Sequence, residues 1–413
     1  MRRVVVTGIG AITPVGNDAR TTWDSLLKGK SGIDLIKSFD TSKHTVRIAG
    51  EVKDFQPEKK INFKILKRLD RYAQLSLWAT MEAVEDAQID FEKYDRAEIG
   101  VIIGVGIGGL IIWEAEHTKF LSKGPARVSP LFIPMMIPDM ASGYIAIHWG
   151  LRGPNYTTVS ACASGAHAIG DAFRAIKYGD ATVMVAGGGE ASVTPFALAA
   201  FSNMRALSRR NDEPHKASRP FDKDRDGFIM SEGAATLILE ELEFAKARGA
   251  KIYGEIVGFG ATGDGYHMTA PAPEGEGARR SMERAMKEAG CKKEEISYIN
   301  AHGTATPLND KFEAKAIKDL FSGYTQKIVI NATKSMIGHS LGAAGAIEAA
   351  VSCWSIRDSV VHATVNLENP DSECAGLDIV RDTPRELKIN YVLSNSLGFG
   401  GHNASLCFKH YSD

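Results

Sequence analysis

Cysteine is scarce in this sequence, and its arrangement argues against two kinds of site. Five cysteines are spread over 413 residues, at positions 162, 291, 353, 374 and 407. Their number is odd and no CxxC pair occurs, so neither a disulfide framework nor a zinc site is indicated. We expect a cytosolic (cytoplasmic) protein with reduced thiols.

Long apolar runs and an excess of charge of one sign are also missing. The longest uncharged hydrophobic run, IGVIIGVGIGGLIIW (99–113), is rich in glycine and shorter than a membrane-spanning helix. The apolar segment after the first two arginines is too short and too interrupted by glycine for a signal peptide. Lys and Arg number 49 against 50 Asp and Glu, which removes the usual reason to expect nucleic-acid binding. We therefore predict neither a membrane nor a nucleic-acid partner.

What the sequence does contain is a regular alternation of two patterns. Short apolar runs bounded by glycine alternate with helical patterns throughout, which predicts an α/β fold. Helices are predicted over 70–87, where apolar residues recur with a period of about 3.6, and over 277–290, which ends on a glycine. The strand candidates are 4–10, 99–106, 155–161, 181–188, 235–241, 251–260, 296–302, 327–332, 377–380 and 391–401. The polar segment 209–227 is the longest candidate insertion.

Two segments of the chain resemble each other. Residues 155–176 and 327–353 both read as a strand, a polar turn and a helix of small residues. Each places a reactive residue type near its turn, Cys162 in the first and His339 in the second. Two matching units indicate two related halves whose turns meet at a pseudo-symmetric centre.

The segment TVSACASGAHAIG (158–170) places Cys162 where a helix is predicted to begin. A thiol at that position feels the positive end of the helix dipole and unpaired N–H groups, which favour the thiolate. The small residues around it leave room for a substrate. The alternative is a small buried hydrophobic side chain without a chemical role.

A second segment, NAHGTATPLND (300–310), follows a predicted strand and contains His302. A histidine at a strand end can donate a hydrogen bond to a substrate carbonyl. The alternative is a turn capped by Asn309 and Asp310, with His302 filling a polar gap.

A third segment, TKSMIGHSLGAAGAIEAA (333–350), contains Lys334, His339 and Glu348. A lysine paired with a glutamate near an imidazole would support it electrostatically. The alternative is a solvated lysine, with the small residues serving only close helix packing.

Two glycine-rich segments differ in what they predict. In SNSLGFGGHNAS (394–405) the glycines around Phe399 form a flexible loop whose N–H groups can supply half of an oxyanion hole. The segment GVGIGG (104–109) fits a dinucleotide-binding pattern, but no following ribose-binding acid completes it. A nucleotide cofactor is not indicated.

Taken together, these segments indicate a protein family far more specifically than any one of them does. Cys162, HGTATPLND, KSMIGH and GFGGHN, in this order, resemble the β-ketoacyl-acyl-carrier-protein synthases, and the resemblance covers essentially the whole chain. It is greatest to the synthase II branch of bacterial dissociated fatty-acid synthesis, including RPFDKDRDGF and GDGYHMTAP. The Cys-His-His set differs from the Cys-His-Cys of thiolases and the Cys-His-Asn of initiating relatives. Chain-length-factor relatives lack the cysteine, and SEGAA (231–235) stands where the family more often has GEGAG.

The resemblance implies a fold, a reaction and partners. The fold is the thiolase-like five-layer α/β/α/β/α arrangement of two related halves, 1–250 with the nucleophilic cysteine and 251–413 with the two histidines. The reaction is a decarboxylative Claisen condensation of malonyl-acyl-carrier protein with a cysteine-bound acyl chain, giving 3-oxoacyl-carrier protein and carbon dioxide without a cofactor. Acyl carrier protein is the implied partner, and the implied assembly is a homodimer. A synthase I or polyketide ketosynthase with another chain-length preference, and a non-catalytic carrier-protein-binding subunit, are the alternatives.

The resemblance also implies roles for individual residues. The catalytic set is Cys162, His302 and His339, supported by the ion pair of Lys334 and Glu348. The oxyanion hole and gate are formed by Cys162, Phe399, Gly398 and Gly400. The substrate-binding residues are Thr304, Thr306, Thr269, Ile107, Phe201 and Phe132, the last reaching across the dimer interface. The carrier-protein docking residues are Lys64, Lys67, Arg68 and Arg205. No metal is required, although related enzymes can hold a monovalent cation near Asn300, Glu348, Ser394 and Asn395.

Overall fold

The computed structural model describes residues 1–412 and has the predicted alternation of strands and helices. The strands are β1 (Val4–Ile12), β2 (Asp34–Leu35), β3 (Ile48–Ala49), β4 (Ile99–Gly104), β5 (Asn155–Tyr156), β6 (Val183–Glu190), β7 (Gly233–Glu241), β8 (Gly254–Gly263), β9 (Ile296–Asn300), β10 (Val329–Asn331), β11 (Val360–Val361), β12 (Asp378–Ile379), β13 (Arg385–Glu386), β14 (Tyr391–Gly398) and β15 (His402–Lys409). The α-helices are α1 (Ala19–Leu27), α2 (Phe63–Leu66), α3 (Arg71–Ala87), α4 (Leu110–Lys123), α5 (Phe132–Met136), α6 (Met140–Trp149), α7 (Ser164–Tyr178), α8 (Pro195–Asn203), α9 (Leu242–Ala247), α10 (Glu276–Ala289), α11 (Pro307–Leu320), α12 (Lys334–Ile337) and α13 (Ala344–Asp358).

Eleven of the strands form one hydrogen-bonded sheet in the order β12-β10-β9-β14-β15-β8-β1-β7-β6-β4-β5. Strands from the first half of the chain lie on one side of β1 and strands from the second half on the other. The two sides join where Val4–Val6 pair with Gly254–Ile256. Only three residue pairs form this junction, so the sheet consists of two half-sheets, one from each half of the chain.

Helices cover both faces of both half-sheets. Helix α3 packs on β1, β7 and β6, and α10 packs on β8 and β15. Helices α7 and α13 pack against each other and contact both half-sheets, and the largest apolar cluster surrounds them. The layers therefore run helix, sheet, helix, sheet, helix, and the predicted five-layer arrangement is confirmed.

Glycines set the spacing between each outer helix and its sheet. A Cβ at Gly10 of β1 would lie 2.0 Å from the carbonyl oxygen of Ala79 on α3. A Cβ at Gly260 of β8 would lie 1.9 Å from the carbonyl oxygen of Ser281 on α10. The two halves thus use the same device, a strand glycine pressed against the helix backbone.

The two similar segments of the sequence adopt the same local structure. Three residues of 3₁₀-helix, Ala161–Ala163 and Leu341–Ala343, precede α7 and α13, which are both 15 residues long. The first residue of each 3₁₀ turn is left-handed, with φ of 51° at Ala161 and 46° at Leu341. Gly342 therefore occupies the position of Cys162 in the second unit, and His339 lies three residues earlier. A Cβ at Gly342 would lie 2.1 Å from the backbone nitrogen of Gly106, so no side chain fits there.

Most predicted elements are present, and the differences lie near the turns. The predicted strand 155–161 ends at Tyr156, because the Ser160 N–H bonds to the side chain of Ser164 at the start of α7. The polar segment 209–227 has no strand and contains a short 3₁₀ turn at Pro214–Lys216. Among residues 1–412, no helix is both long enough and apolar enough to cross a membrane.

Candidate active site

A cavity of about 510 Å³ lies where the turns of the two halves meet. It is lined by three of the predicted catalytic residues, Cys162, His302 and His339. The other predicted site residues in its wall are Ile107, Phe201, Thr269, Thr304, Thr306, Gly398 and Phe399. The fold thus brings together residues up to 292 positions apart in the chain (399 − 107).

Cys162 lies in the 3₁₀ turn before α7, and its residue is 7% exposed. Burial raises the pKa of its thiol to about 11, while the charge of Lys334 and the N–H groups of Phe399 and Cys162 itself act in the opposite direction. The position at a helix start was expected to favour the thiolate. Burial outweighs that effect, so the resting form at neutral pH is the thiol.

We expect alkylation of Cys162 by iodoacetamide to accelerate about tenfold per pH unit from about pH 7 to pH 10, because the thiolate is the reacting species. Peptide mapping by mass spectrometry measures the rate at each cysteine. Cys291 is the internal control, since a hydrogen bond with the Cys407 thiol lowers the pKa of Cys291. A rate at Cys162 that levels off near pH 8 contradicts this prediction.

The two histidines contact each other edge to face in the cavity wall. His302 follows β9, and His339 is held by backbone hydrogen bonds from its N–H to Ile229 and from the Ser231 N–H to its carbonyl. Their ring centroids are 5.3 Å apart and the rings are nearly perpendicular, at 86°. Burial, the charge of Lys334 and, for His302, its neighbour His339 depress both pKa values well below the ordinary range. Both rings are therefore neutral at pH 7.

Lys334 determines which ring nitrogen of His302 carries the proton. Its Nζ lies 3.3 Å from His302 Nδ1. An ammonium group can only donate, so Nδ1 accepts and the proton of the neutral ring resides on Nε2. His302 is thereby arranged as a hydrogen-bond donor through Nε2.

The same lysine forms an ion pair with Glu348 on α13, and both side chains are only 1% exposed. Burial raises the pKa of Glu348 to about 7, and Lys334 acts to lower it. The alternative of a solvated Lys334 is therefore wrong. The pair sits behind His302 and not in the cavity wall.

We expect Lys334→Met to lower the free energy of unfolding by about 3–5 kcal/mol near pH 8, because it leaves the Glu348 carboxylate buried without a partner. The pKa of a carboxyl in that state lies above its unfolded value. The variant then loses stability as pH rises from the pKa of Glu348 in the unfolded state through its pKa in the folded state, and it keeps that stability at lower pH. The difference in free energy of unfolding between the variant and the wild type should therefore shrink near pH 4. Urea unfolding at the two pH values measures this. The double variant Lys334→Met/Glu348→Gln is the control and should recover stability; equal stability of Lys334→Met and the wild type at both pH values refutes the prediction.

Sequence reasoning missed Glu313, a buried carboxylate on α11. Its two oxygens accept the backbone N–H groups of His302, at 2.8 Å, and Gly303, at 2.9 Å. It therefore orients the turn that carries the histidine. The available signal was an acid placed on the helix directly after the HGT turn, where it can reach back to that turn.

Arg225, in the polar segment 209–227, was also missed. Its guanidinium is buried and donates to the carbonyls of Thr306 and Pro307, at 3.1 and 2.9 Å. Thr306 in turn lies 3.0 Å from Thr304, oxygen to oxygen, in the cavity wall. The segment thus packs into the site and supports the two threonines.

The GFGG turn between β14 and β15 closes one side of the cavity. A Cβ at Gly398 would lie 2.6 Å from the carbonyl oxygen of Ser160 and 3.2 Å from the nitrogen of Cys162, so the strand backbone rests directly on the cysteine turn. Gly400 has a φ of 83° and donates to the carbonyl of Met268 at 2.7 Å. Gly400 lies outside the cavity wall, whereas Phe399 lies in it.

Other predicted residues lie outside the cavity. Phe132 is on α5, away from the cavity wall of this chain. Lys64, Lys67 and Arg68 are exposed on and after α2, and Arg205 is exposed beside Met204 at the cavity. Within residues 1–412, none of these four cations pairs with a carboxylate.

The candidate cation residues form two groups. Asn300 pairs with Ser394 in the β9–β14 ladder and donates to the carbonyl of Glu348 at 3.2 Å. Asn395 points to the other face of β14, where its amide bonds to Glu313 and Ser405. Among the described residues, no group of three or more His, Cys, Asp or Glu could hold a metal ion.

Comparison with known proteins gives matches along nearly the whole chain. The family model "Beta-ketoacyl synthase, N-terminal domain" matches residues 1–245, and "Beta-ketoacyl synthase, C-terminal domain" matches 253–368. The 3-oxoacyl-[acyl-carrier-protein] synthase 2 of Staphylococcus aureus (strain COL) is 52% identical over 410 residues, which cover 99% of each chain.

Solved structures agree with this assignment. A β-ketoacyl synthase from Burkholderia phymatum superimposes with a TM-score of 0.93 at 36% identity, covering all of both chains. A type II PKS ketosynthase in complex with its acyl-carrier protein superimposes with a TM-score of 0.91 at 32% identity, again over all of both chains. Both halves of the fold, the cavity and the family models lead to one conclusion: the chain belongs to the β-ketoacyl synthase family of condensing enzymes, which are acyltransferases.

Proposed function

We propose that this chain elongates a Cys162-bound acyl group by condensing it with a malonyl thioester carried on acyl carrier protein. The observation that carries the proposal is one cavity walled by Cys162, His302 and His339 together. The product is a 3-oxoacyl thioester two carbons longer, and carbon dioxide leaves. This is the reaction of fatty-acid elongation, and it needs no cofactor.

In the first step, Cys162 takes the acyl chain from its carrier. The sulfur attacks the thioester carbonyl, and the carrier thiol leaves with the proton that the cysteine gave up. Negative charge develops on the carbonyl oxygen during the attack. The backbone N–H groups of Phe399 and Cys162 act to lower the pKa of the Cys162 thiol and so favour negative charge at this point, which supports their use as the oxyanion hole. Glycine at 398 lets that strand approach closely.

In the second step, the two neutral histidines serve the malonyl thioester. Loss of carbon dioxide leaves an enolate, whose charge is shared with the thioester oxygen. Donors already aimed at that oxygen stabilise it. His302 offers Nε2–H because Lys334 occupies Nδ1, and His339 faces the same space. The enolate carbon then attacks the acyl-cysteine carbonyl, and the Cys162 thiolate leaves.

The carrier protein would reach the site with its pantetheine arm along the threonines. Thr304, Thr306 and Thr269 line the cavity and offer hydroxyls to an amide-containing arm. Lys64, Lys67, Arg68 and Arg205 are exposed and suit an acidic partner. The solved complex of a related ketosynthase with its acyl-carrier protein supports this choice of partner.

We expect the triple charge reversal Lys64→Glu/Lys67→Glu/Arg68→Glu to raise the KM for carrier-bound substrate about tenfold and to leave kcat nearly unchanged, because the three residues lie outside the cavity. Steady-state elongation assays measure both constants. The control is Lys292→Glu/Lys293→Glu, which reverses two exposed lysines elsewhere. An unchanged KM for the triple variant, or an equal rise for both variants, refutes the docking assignment.

A homodimer is the proposed assembly. Strand β5 is one of the two edge strands of the sheet, and both of its residues are exposed. Large exposed apolar side chains also lie on α4, at and just before α5, and in segment 156–159: Phe120, Leu121, Leu131, Ile133, Tyr156 and Val159. A second copy would cover such a surface, and Phe132 on α5 would then reach the partner's cavity. The division into halves 1–250 and 251–413 and the cation near Asn300 stay predictions.

The test is elongation of defined acyl-carrier proteins by the purified protein with malonyl-carrier protein, followed by mass spectrometry. A 3-oxoacyl product two carbons longer supports the proposal, and failure with every primer refutes it. Failure with only the fourteen- to sixteen-carbon primers favours a synthase I or polyketide preference. Binding of carrier protein without any product would indicate a non-catalytic subunit, which the presence of Cys162, His302 and His339 disfavours.

A further inference from the structure

Glu190, at the carboxyl end of β6, is fully buried next to the acyl cavity. Its Oε2 accepts the backbone N–H groups of Gly106 at 2.8 Å, Ile107 at 3.1 Å and Gly342 at 3.3 Å. Its Oε1 lies 3.5 Å from the N–H of Gly108. One carboxylate therefore accepts hydrogen bonds from all three backbone N–H groups of the turn 106–108.

This turn belongs to the GVGIGG segment, which matches a phosphate-binding pattern. The internal carboxylate occupies the place where such a loop would bind a phosphate, and so no dinucleotide is needed to satisfy the loop. A Cβ at Gly106 would lie 2.6 Å from Glu190 Oε2 and 3.1 Å from the nitrogen of Gly342. Gly106 is thus explained by close approach to Glu190 and to the turn after His339.

The donors around Glu190 favour its ionised form. Burial raises the pKa of Glu190 to about 7, and the Ser192 hydroxyl, at 2.9 Å, and the backbone N–H groups act to lower it. A buried carboxylate is costly unless donors surround it. Every hydrogen-bond partner of Glu190 is a donor, so the carboxylate holds these N–H groups in place.

Ile107 is the residue whose position depends on this arrangement. It lines the cavity, and it is 39% exposed. Strand β4 ends at Gly104, and the N–H groups of 106–108 go to Glu190 and not to a neighbouring strand. Glu190 therefore holds the backbone that carries the Ile107 side chain into the cavity wall.

We propose that Glu190 is a positioning residue that sets acyl-chain selectivity by fixing Ile107 in the cavity wall. The inference rests on the proposed function, because it takes the cavity to be the acyl pocket. Chains long enough to contact Ile107 depend on Glu190, whereas shorter chains do not. The charge of Glu190 also acts to raise the pKa of Cys162, and this effect does not depend on the length of the acyl chain.

The test compares Glu190→Asp with the wild type. Aspartate keeps the charge but withdraws the oxygens by one methylene, which breaks their contacts with the turn. Acylation of Cys162 by carrier proteins bearing four-carbon and fourteen-carbon chains is followed by mass spectrometry. We expect kcat/KM for the long chain, relative to the short one, to fall about tenfold. Glu190→Gln, which keeps the length and loses the charge, should change the same ratio less and in the same direction, and it decides the matter if the aspartate variant does not fold.

The matched control is Glu82→Asp. Glu82 also accepts two backbone N–H groups, of Ala11 and Ala19, but does not line this cavity. The variant Glu82→Asp should leave the ratio of kcat/KM for the long chain to that for the short chain unchanged. A ratio in Glu190→Asp and Glu190→Gln equal to that of the wild type, or an equal loss for both chain lengths, overturns the inference alone. Absence of acylation of the wild type by any primer overturns the proposed function and this inference with it.

Discussion

Cys162→Ala should abolish transfer of a labelled acyl group from acyl carrier protein to this chain and lower the condensation rate by about a thousandfold or more. Alanine keeps the 3₁₀ turn but removes the sulfur that forms the covalent intermediate. Gel autoradiography or intact-protein mass spectrometry detects the label. Decarboxylation of malonyl-carrier protein should persist in the variant, because the two histidines and the cavity are retained.

The matched control is Cys291→Ala, at a half-buried cysteine that does not line the cavity. This variant should take up label like the wild type. Equal labelling of Cys162→Ala and the wild type would show that another residue is the acyl acceptor. Loss of decarboxylation together with acylation would show that the substitution damages the whole cavity, and the separate role of the cysteine would then be unsupported.

His339→Ala and His302→Ala should each lower malonyl decarboxylation and condensation about 100- to 1000-fold, because each removes one donor to the enolate oxygen. Acylation of Cys162 should stay within a few-fold of the wild type, since neither ring supplies the oxyanion hole. The double variant should lose less than the product of the two single losses, because the donors act on one oxygen. Single-turnover assays of the two half-reactions separate these effects.

The conservative variant His302→Gln distinguishes a donor from a space-filling side chain. Its amide N–H can replace Nε2–H in part, so it should recover some of the activity that His302→Ala loses. His148→Ala, on α6 outside the cavity, is the matched control and should behave like the wild type. Equal loss of acylation and decarboxylation in both active-site alanine variants would contradict the assignment of the histidines to the malonyl step.

Much of the fold could be predicted from local pattern. Helix α3 and helix α10 were predicted within one residue at each end, because their apolar spacing and the glycine after α10 are local signals. The strand predicted over 155–161 was too long, because a run of β-branched residues also occurs where the chain turns into α7. The Ser164 hydroxyl, which accepts from the Ser160 N–H and donates to the Ala161 carbonyl, and not residue propensity, ends that strand.

The candidate site was predictable where a motif names the residue itself. Cys162, His302 and His339 stand in recognisable segments. The pairing of the two strand–turn–helix units brings Cys162 and His339 together, and His302 joins them because β9, which precedes it, pairs with β10 of the second unit. Which residue of the second unit corresponds to Cys162 was not predictable. In the structure it is Gly342, and not His339, that occupies the equivalent position. Only the close contact of Gly342 with Gly106 shows why the second unit has no side chain there.

The sequence by itself determined the α/β class, the two similar strand–turn–helix segments and the candidate catalytic residues, because periodicity, turn residues and short motifs are local. Only the tertiary structure decided their electrostatic state. Burial keeps both histidines neutral, raises the pKa of Cys162 and makes Lys334 a partner of His302 and Glu348. The tertiary structure also places Glu190 against the turn 106–108 and Glu313 against the turn that carries His302. Desolvation and long-range hydrogen bonds depend on which segments pack together, and no stretch of sequence carries that information alone.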